Sequence, residues 1–195
     1  MRPVRLVLAS RSPRRADLLR AAGYGFEVAP ADIDERRHDG EPPSAYVARL
    51  ATEKATLVGR RVPGAIVLGA DTIVVIDGVA LGKPSDDADA GTMLRRLSGR
   101  RHDVLTGVAL HAVGRGCREV ARTQVDFRVL SAAEITWYVG SGEPDGKAGA
   151  YAIQGRASRF VTRIDGSYSN VVGLPIEVVD RLLGTLHPTG SVGYE

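Results

Sequence analysis

The run Ala65-Ile66-Val67-Leu68-Gly69-Ala70-Asp71-Thr72-Ile73-Val74-Val75-Ile76 does most to limit what this chain can fold into. Apolar residues stand at both odd and even positions, so the strand it predicts is covered on both faces. Asp71 interrupts the run. A carboxylate there needs a partner or a task, and Gly69-Ala70 leaves room for a ligand or a backbone to come close. Asp77-Gly78 signals a two-residue hairpin. Under ideal pairing Ile76 faces Val79, and counting back sets Lys83 opposite Thr72, beside Asp71. A bulge at Gly82-Lys83-Pro84 would move the lysine by one place. A lysine, a threonine and an aspartate thus converge from two sides of one hairpin. The plain alternative is a structural Asp–Lys pair at a sheet edge.

The N-terminal stretch repeats the theme. Leu6 to Ala9 reads as a short strand, and Ser12-Pro13 as an N-cap and first helical residue, because proline has the right φ where no N–H partner exists. Free N–H groups and the positive end of a helix dipole gather there. Arg14 and Arg15 nevertheless stand in the first turn, where the dipole favours acids. Their placement makes sense around an anion, with Ser10, Ser12 and the backbone amides turned toward it. A capped surface helix with solvated arginines explains the segment equally well.

Other segments fill in the frame. The first helix is expected from Pro13 to Ala22 with Gly23 as its stop, and Phe26 to Ala29 as a short strand. Asp32 to Glu41 is a charged loop, mostly solvated, in which one or two carboxylates could take a divalent metal. Ser44 is expected to cap a helix reaching Arg60, with Val47, Leu50, Ala51, Leu57 and Val58 on one face. Lys54 falls inside that apolar stripe. A buried lysine is costly without an anionic partner, and Glu53 lies too near the stripe edge to be one. Snorkelling to the helix edge is the other option.

Ser85-Asp86-Asp87 opens a helix through Leu97, closed by Gly99. His102 to Val113 and Arg118 to Leu130 are long strands, the first broken at Thr106-Gly107. Ser131 to Glu134 is a capping box for a helix through Tyr138. The small residues from Gly146 to Gly155 allow close backbone packing, and Gln154 before Gly155 is a candidate ligand contact. Phe160 to Ile164 reads as a strand, Asp165 to Asn170 as a loop, Pro175 to Leu186 as an amphipathic helix, and His187 to Glu195 as a frayed tail. Crossovers mixed with hairpins indicate an α/β or α+β mixed sheet.

Composition narrows the function classes. The 195 residues carry 26 Lys and Arg against 23 Asp and Glu, a formal charge of +3. That balance suits a polyanionic ligand, but there is no basic block, and aromatic residues make up only 5% of the chain, too few for stacking platforms on nucleic acid. The single Cys117 excludes an internal disulfide and points to a reducing compartment. No apolar run approaches the roughly 20 residues of a membrane span. The four histidines show no metal-ligand spacing. The chain reads as cytoplasmic.

Taken in order, Leu8-Ala9-Ser10, Ser12-Pro13-Arg14-Arg15, Asp34-Glu35, Glu53-Lys54-Ala55, Gly69-Ala70-Asp71-Thr72, Gly82-Lys83-Pro84, Thr106-Gly107, Lys147-Ala148-Gly149-Ala150-Tyr151, Ile153-Gln154-Gly155 and Asn170-Val171-Val172-Gly173-Leu174-Pro175 resemble the Maf family of nucleoside triphosphate pyrophosphatases. The likeness runs from Leu6 to Leu186. Asp145-Gly146-Lys147 departs from the Asp-Lys pair of many relatives, within a loop.

The resemblance implies an elongated α/β fold, a mixed sheet flanked by helices, with two lobes and a central cleft, similar to inosine triphosphate pyrophosphatases. It implies one such domain over residues 1–186, with 187–195 as a tail, and often a homodimer. Its activity is hydrolysis of a nucleoside triphosphate to the monophosphate and pyrophosphate with a divalent metal, Mg²⁺ or Mn²⁺. Asp71 matches the proton acceptor. Arg14, Thr72 and Gln154 match the positions setting base preference, here as in the dTTP/UTP subgroup, not the one acting on 7-methylguanosine triphosphate. Ser10, Arg15, Lys54 and Lys83 are then expected on the phosphates, and Glu35 with Asp71 on the metal. The biological role implied is cleansing of nucleotide pools, with a link to cell-division arrest. A non-catalytic nucleotide sensor in septum formation would use the same cradle. Neither a nucleic acid nor a membrane is expected as a stable partner.

Overall fold

A computed structural model describes residues 5–186. The tail expected at 187–195 lies outside them. The elements in order are β1 (Leu6–Leu8), α1 (Pro13–Ala21), β2 (Glu27–Val28), α2 (Pro43–Gly59), β3 (Ile66–Ile76), β4 (Val79–Leu81), α3 (Asp87–Leu97), β5 (Arg101–Ala112), β6 (Arg115–Phe127), α4 (Ala132–Val139), two short 3₁₀ turns (Ala148–Ala150 and Arg156–Phe160), β7 (Val161–Asp165), α5 (Tyr168–Val172) and α6 (Ile176–Leu186). The strands form one seven-stranded sheet in the order β2-β1-β3-β5-β6-β7, with β4 paired to β3 off that path. β1 is parallel to both β2 and β3, whereas β3–β4 and β6–β7 are antiparallel. The mixed α/β sheet is therefore as expected. No described helix is long and apolar enough to cross a membrane.

The chain divides into two compact units. The first runs to Asp71 and takes in Thr106–Ala121 and the stretch from Gly173; the second holds Thr72–Leu105 and Arg122–Val172. In the first, alternate residues of β1 and β3 feed two separate cores, because successive side chains of a strand point to opposite faces. Leu6, Leu8, Ile66 and Leu68 pack with Leu19 of α1 and Val179, Leu182 and Leu183 of α6. Val7, Ala9, Ala65 and Val67 pack with Ala51, Ala55 and Val58 of α2. Each fully buried leucine contributes about 1.5–3 kcal/mol relative to exposure. This is the two-faced cover that the apolar run of β3 requires.

α2 lies unusually close to the sheet. A Cβ on Gly69 would run into the Ala51 carbonyl oxygen, and one on Gly107 into the Val47 carbonyl oxygen. A break in the strand at Thr106-Gly107 was expected from sequence, but β5 runs through it; the glycine leaves the strand intact and makes room for a helix backbone.

In the second unit an aromatic cluster of His102, Phe127, Tyr151, Phe160 and Tyr138 packs edge to face, with centroids 4.9 to 6.0 Å apart. Asn170 is fully buried and donates through Nδ2 to the Val104 carbonyl (3.1 Å) and to Thr123 Oγ1 (2.9 Å). That network turns Tyr168–Val172 into a short helix where a loop was expected. α3 is capped by Asp86, and α4 carries the full Ser131–Glu134 capping box.

Candidate active site

The first unit holds six of the candidate residues, Ser10, Arg14, Arg15, Glu35, Lys54 and Asp71. Ser12 occupies the N-cap position of α1, with Pro13 behind it, but its side chain makes no capping bond. Instead Ser10 Oγ accepts from the Ser12 amide (3.2 Å) and from Arg15 Nη1 (3.2 Å). With two donors on its lone pairs, the Ser10 hydroxyl has only its hydrogen left to offer, to an acceptor such as an anion. Arg15 also donates from Nη1 to the Ala70 carbonyl (2.8 Å) and from Nε to the Gly173 carbonyl (2.8 Å). One guanidinium thus holds the β1–α1 loop, the backbone next to Asp71 and the start of the C-terminal segment. Burial pulls the Arg15 pKa below its ordinary value, while the charges of Asp71 and Glu35 push it back. Arg14 follows Pro13 in the first turn and is half-buried.

α2 begins at Pro43, not with a Ser44 cap, since Pro42 takes the N-cap and Pro43 the first helical place. Lys54 on this helix is 6% exposed, as its place in the apolar stripe requires. Its Nζ lies 2.7 Å from Asp71 Oδ1 and 2.7 Å from Glu35 Oε1. Glu53 is elsewhere, against Arg49. The buried cation thus has two anionic partners, one from the strand and one from the acidic loop. Snorkelling does not occur. Asp71 is deeply set, its side chain 13% exposed, whereas that of Glu35 is 42% exposed.

The loop that delivers Glu35 is mostly exposed, as expected, but is tied to α2 at several points. Tyr46 of α2 donates its hydroxyl to the Glu35 carbonyl at 2.7 Å. Burial, with the nearby charges of Asp71 and Glu35, pushes the Tyr46 pKa up to about 12. Glu41 receives Arg49 at 2.7 and 2.8 Å, which holds its carboxyl down at about 2. Asp34, Arg36, Arg37, His38 and Arg49 line a neighbouring cavity of about 550 Å³, with Asp34 paired to Arg36. Tyr46 was not singled out in the sequence; its place two helical turns before Lys54 was the available signal.

Thr72, Lys83 and Gln154 belong to the second unit. Thr72 follows Asp71 on β3 and is half-buried. The hairpin pairs Ile76 with Val79 as expected, but the ladder ends at Val74–Leu81, so Lys83 is not paired opposite Thr72. A distant segment takes over there: the Gly82 carbonyl accepts from the Gly149 amide (2.9 Å) in place of a β3 partner. Lys83 is exposed beyond that point. Gln154 is exposed at a turn closed by the Gly155 amide on the Ala152 carbonyl (3.0 Å).

Among the described residues no group of three or more His, Cys, Asp or Glu side chains is disposed to hold a metal. Glu35 and Asp71 converge only as a pair. Magnesium keeps several waters and uses one or two carboxylates together with substrate phosphates, so this pair fits an ion bridged by phosphate.

The chain can be set beside known proteins. A family model described as Maf-like protein matches residues 5–186. A dTTP/UTP pyrophosphatase of Anaeromyxobacter dehalogenans (strain 2CP-C) is 56% identical over 183 residues, covering 92% of this chain and 92% of its own length. Another of Myxococcus xanthus (strain DK1622) is 57% identical over 179 residues, covering 91% and 90%. Among solved structures, a HAM1 protein from Coxiella burnetii superposes with a TM-score of 0.50 at 17% identity, covering 95% of this chain and all of that one. That last likeness is one of fold.

Proposed function

The chain belongs to the family of Maf-like proteins, and on that premise we propose that it hydrolyses dTTP and UTP to the nucleoside monophosphate and pyrophosphate. The single observation that carries the site assignment is the buried Lys54 ammonium shared by Asp71 and Glu35 at 2.7 Å each. Water attacks the α-phosphorus, the bond to the bridging oxygen breaks, and pyrophosphate leaves with its electron pair. Asp71 takes the proton of that water, with its carboxylate aimed by Lys54 and its backbone held by Arg15 on the Ala70 carbonyl. Ser10, Arg15, Lys54 and Lys83 act on the phosphates, where cations and a hydroxyl donor stabilise the charge that grows on the leaving group. A divalent ion, Mg²⁺ or Mn²⁺, held by Glu35 and Asp71, would neutralise phosphate charge.

Base choice falls to Arg14, Thr72 and Gln154. Uracil and thymine offer an N3–H between two carbonyls. A carboxamide such as Gln154 accepts from the one and donates to the other. Names of relatives at about half identity or better, matched over nearly the whole chain, support this choice of substrate. The remainder of the reading is a homodimer in the cytoplasm, with the nucleotide as its partner and neither nucleic acid nor membrane as a standing one. The single cysteine suits a reducing compartment.

The deciding experiment is incubation with dTTP and Mg²⁺ or Mn²⁺ and identification of the first products. Pyrophosphate and dTMP are expected. Orthophosphate and dTDP in their place would overturn the assignment.

A further inference from the structure

Gln154 is exposed at the third position of the four-residue turn Ala152 to Gly155, a place with no packing of its own to hold it. What holds the turn lies beneath. At its near end, the Ala152 amide donates to the Tyr138 hydroxyl at 3.0 Å. That hydroxyl donates in turn to Glu143 Oε1 at 2.9 Å. At its far end, the Arg156 amide donates to Glu143 Oε2 (3.0 Å) and the Ala157 amide to Oε1 (3.4 Å). Tyr138 is fully buried and packs edge to face on Phe160, so its hydroxyl is an anchored point. Gly155 completes the arrangement, because a Cβ there would overlap the Glu143 carboxylate.

From this geometry we propose that Tyr138 and Glu143 are positioning residues for nucleobase selection, a bracket that grips both ends of the turn and sets where the Gln154 carboxamide stands. The inference rests on the reading of Gln154 as a base-selecting residue. A carboxylate suits the task because it only accepts: its oxygens receive two amides and a hydroxyl, all donors. A glutamine in its place must turn an NH₂ toward at least one of those donors, whichever way its amide is set. A hydrogen-bonding group is selective only while held to within a fraction of an ångström, so a loosened turn loses discrimination before it loses chemistry.

The test uses the full-length protein and measures kcat/KM for dTTP, UTP and CTP in Glu143→Gln, Tyr138→Phe and Gln154→Ala. Amide hydrogen exchange of residues 152–157 is followed in the first two. Glu143→Gln is expected to narrow the preference for dTTP over CTP by about tenfold or more, with pyrophosphate still the product and faster exchange at Arg156. Tyr138→Phe should act in the same direction, with faster exchange at Ala152. If Gln154→Ala abolishes the preference while both bracket variants keep it, the bracket is wrong and the reading of Gln154 stands. If Gln154→Ala keeps the preference, the reading of Gln154 itself is wrong. Failure of both bracket variants to fold would also overturn the proposal, since the pair would then belong to the general core.

Discussion

Lys54 Nζ and Asp71 Oδ1 lie 2.7 Å apart across the interface between a helix and a central strand, and the lysine side chain is 8% exposed. Two observations converge there: a lysine within an apolar stripe and a carboxylate interrupting an apolar strand. Each is costly alone, and each is the other's partner.

Lys54→Met keeps the length of the side chain and removes its charge. Asp71 and Glu35 are then left facing one another without a cation. We expect the rate on dTTP to fall by about 10²-fold or more, and stability to drop by about 1–3 kcal/mol, moderated by solvent reaching Glu35. Steady-state kinetics and a denaturant titration check the two.

Asp71→Asn keeps the shape but removes the carboxylate proposed as proton acceptor. Turnover should fall by about 10²–10⁴-fold while the fold persists. A variant within about threefold of the parent would remove Asp71 from the reaction.

The proposed base choice makes a separate claim. Cytosine reverses the donor and acceptor pattern at N3 and C4, leaving a polar group unpaired at about 1–3 kcal/mol per group. dTTP and UTP should therefore be turned over far better than CTP or the purine triphosphates. Gln154→Glu sets a carboxylate against carbonyl oxygens and should depress dTTP and UTP selectively. Equal kcat/KM for CTP and UTP in the parent would contradict this assignment.

Acid stability has a source away from the site. Burial holds the His102 imidazole down at about 4, beside the Tyr151 hydroxyl at 2.9 Å and near the charges of Asp103 and Asp126. A histidine of depressed pKa binds its proton more readily when unfolded. Its contribution is therefore whole above about pH 6.5 and is lost as pH falls toward 4, by roughly 3 kcal/mol. Thermal melts should drop over that window, and His102→Gln should flatten the drop.

Sequence reading succeeded where the physics is local. The β3–β4 hairpin follows from Asp77-Gly78, and the capping box of α4 and the glycine stops from residues within a turn of their helices. The need of Lys54 for an anion was equally plain from its burial, but the choice of Glu35 and Asp71 depends on how α2 is laid on the sheet. The carbonyls that receive Arg15 lie 55 and 158 residues away along the chain, beyond any local pattern. Lys83 illustrates an extrapolated register: pairing continues only while both strands run on, and the Gly82 carbonyl is taken by Gly149 instead. Gly107 shows the opposite lesson, a glycine in a strand that means contact with a helix, not a break.

Gly69→Ala tests that contact. The added methyl would meet the Ala51 oxygen and the Ala55 nitrogen of α2, so the helix must lift from β3. We expect a loss of about 1–3 kcal/mol in stability and a fall in activity out of proportion to it.

The seating of α2 on bare strand backbone also determines how much error the site tolerates. The lysine bridges a gap whose width is set where two glycines lacking side chains admit the α2 backbone to the strands. Substitutions at Gly69 or Gly107 touch no nucleotide, yet they would alter the reach of the ammonium toward both carboxylates at once. Damage there would surface as a slow enzyme with an intact fold, and would be misread as a fault of the binding pocket.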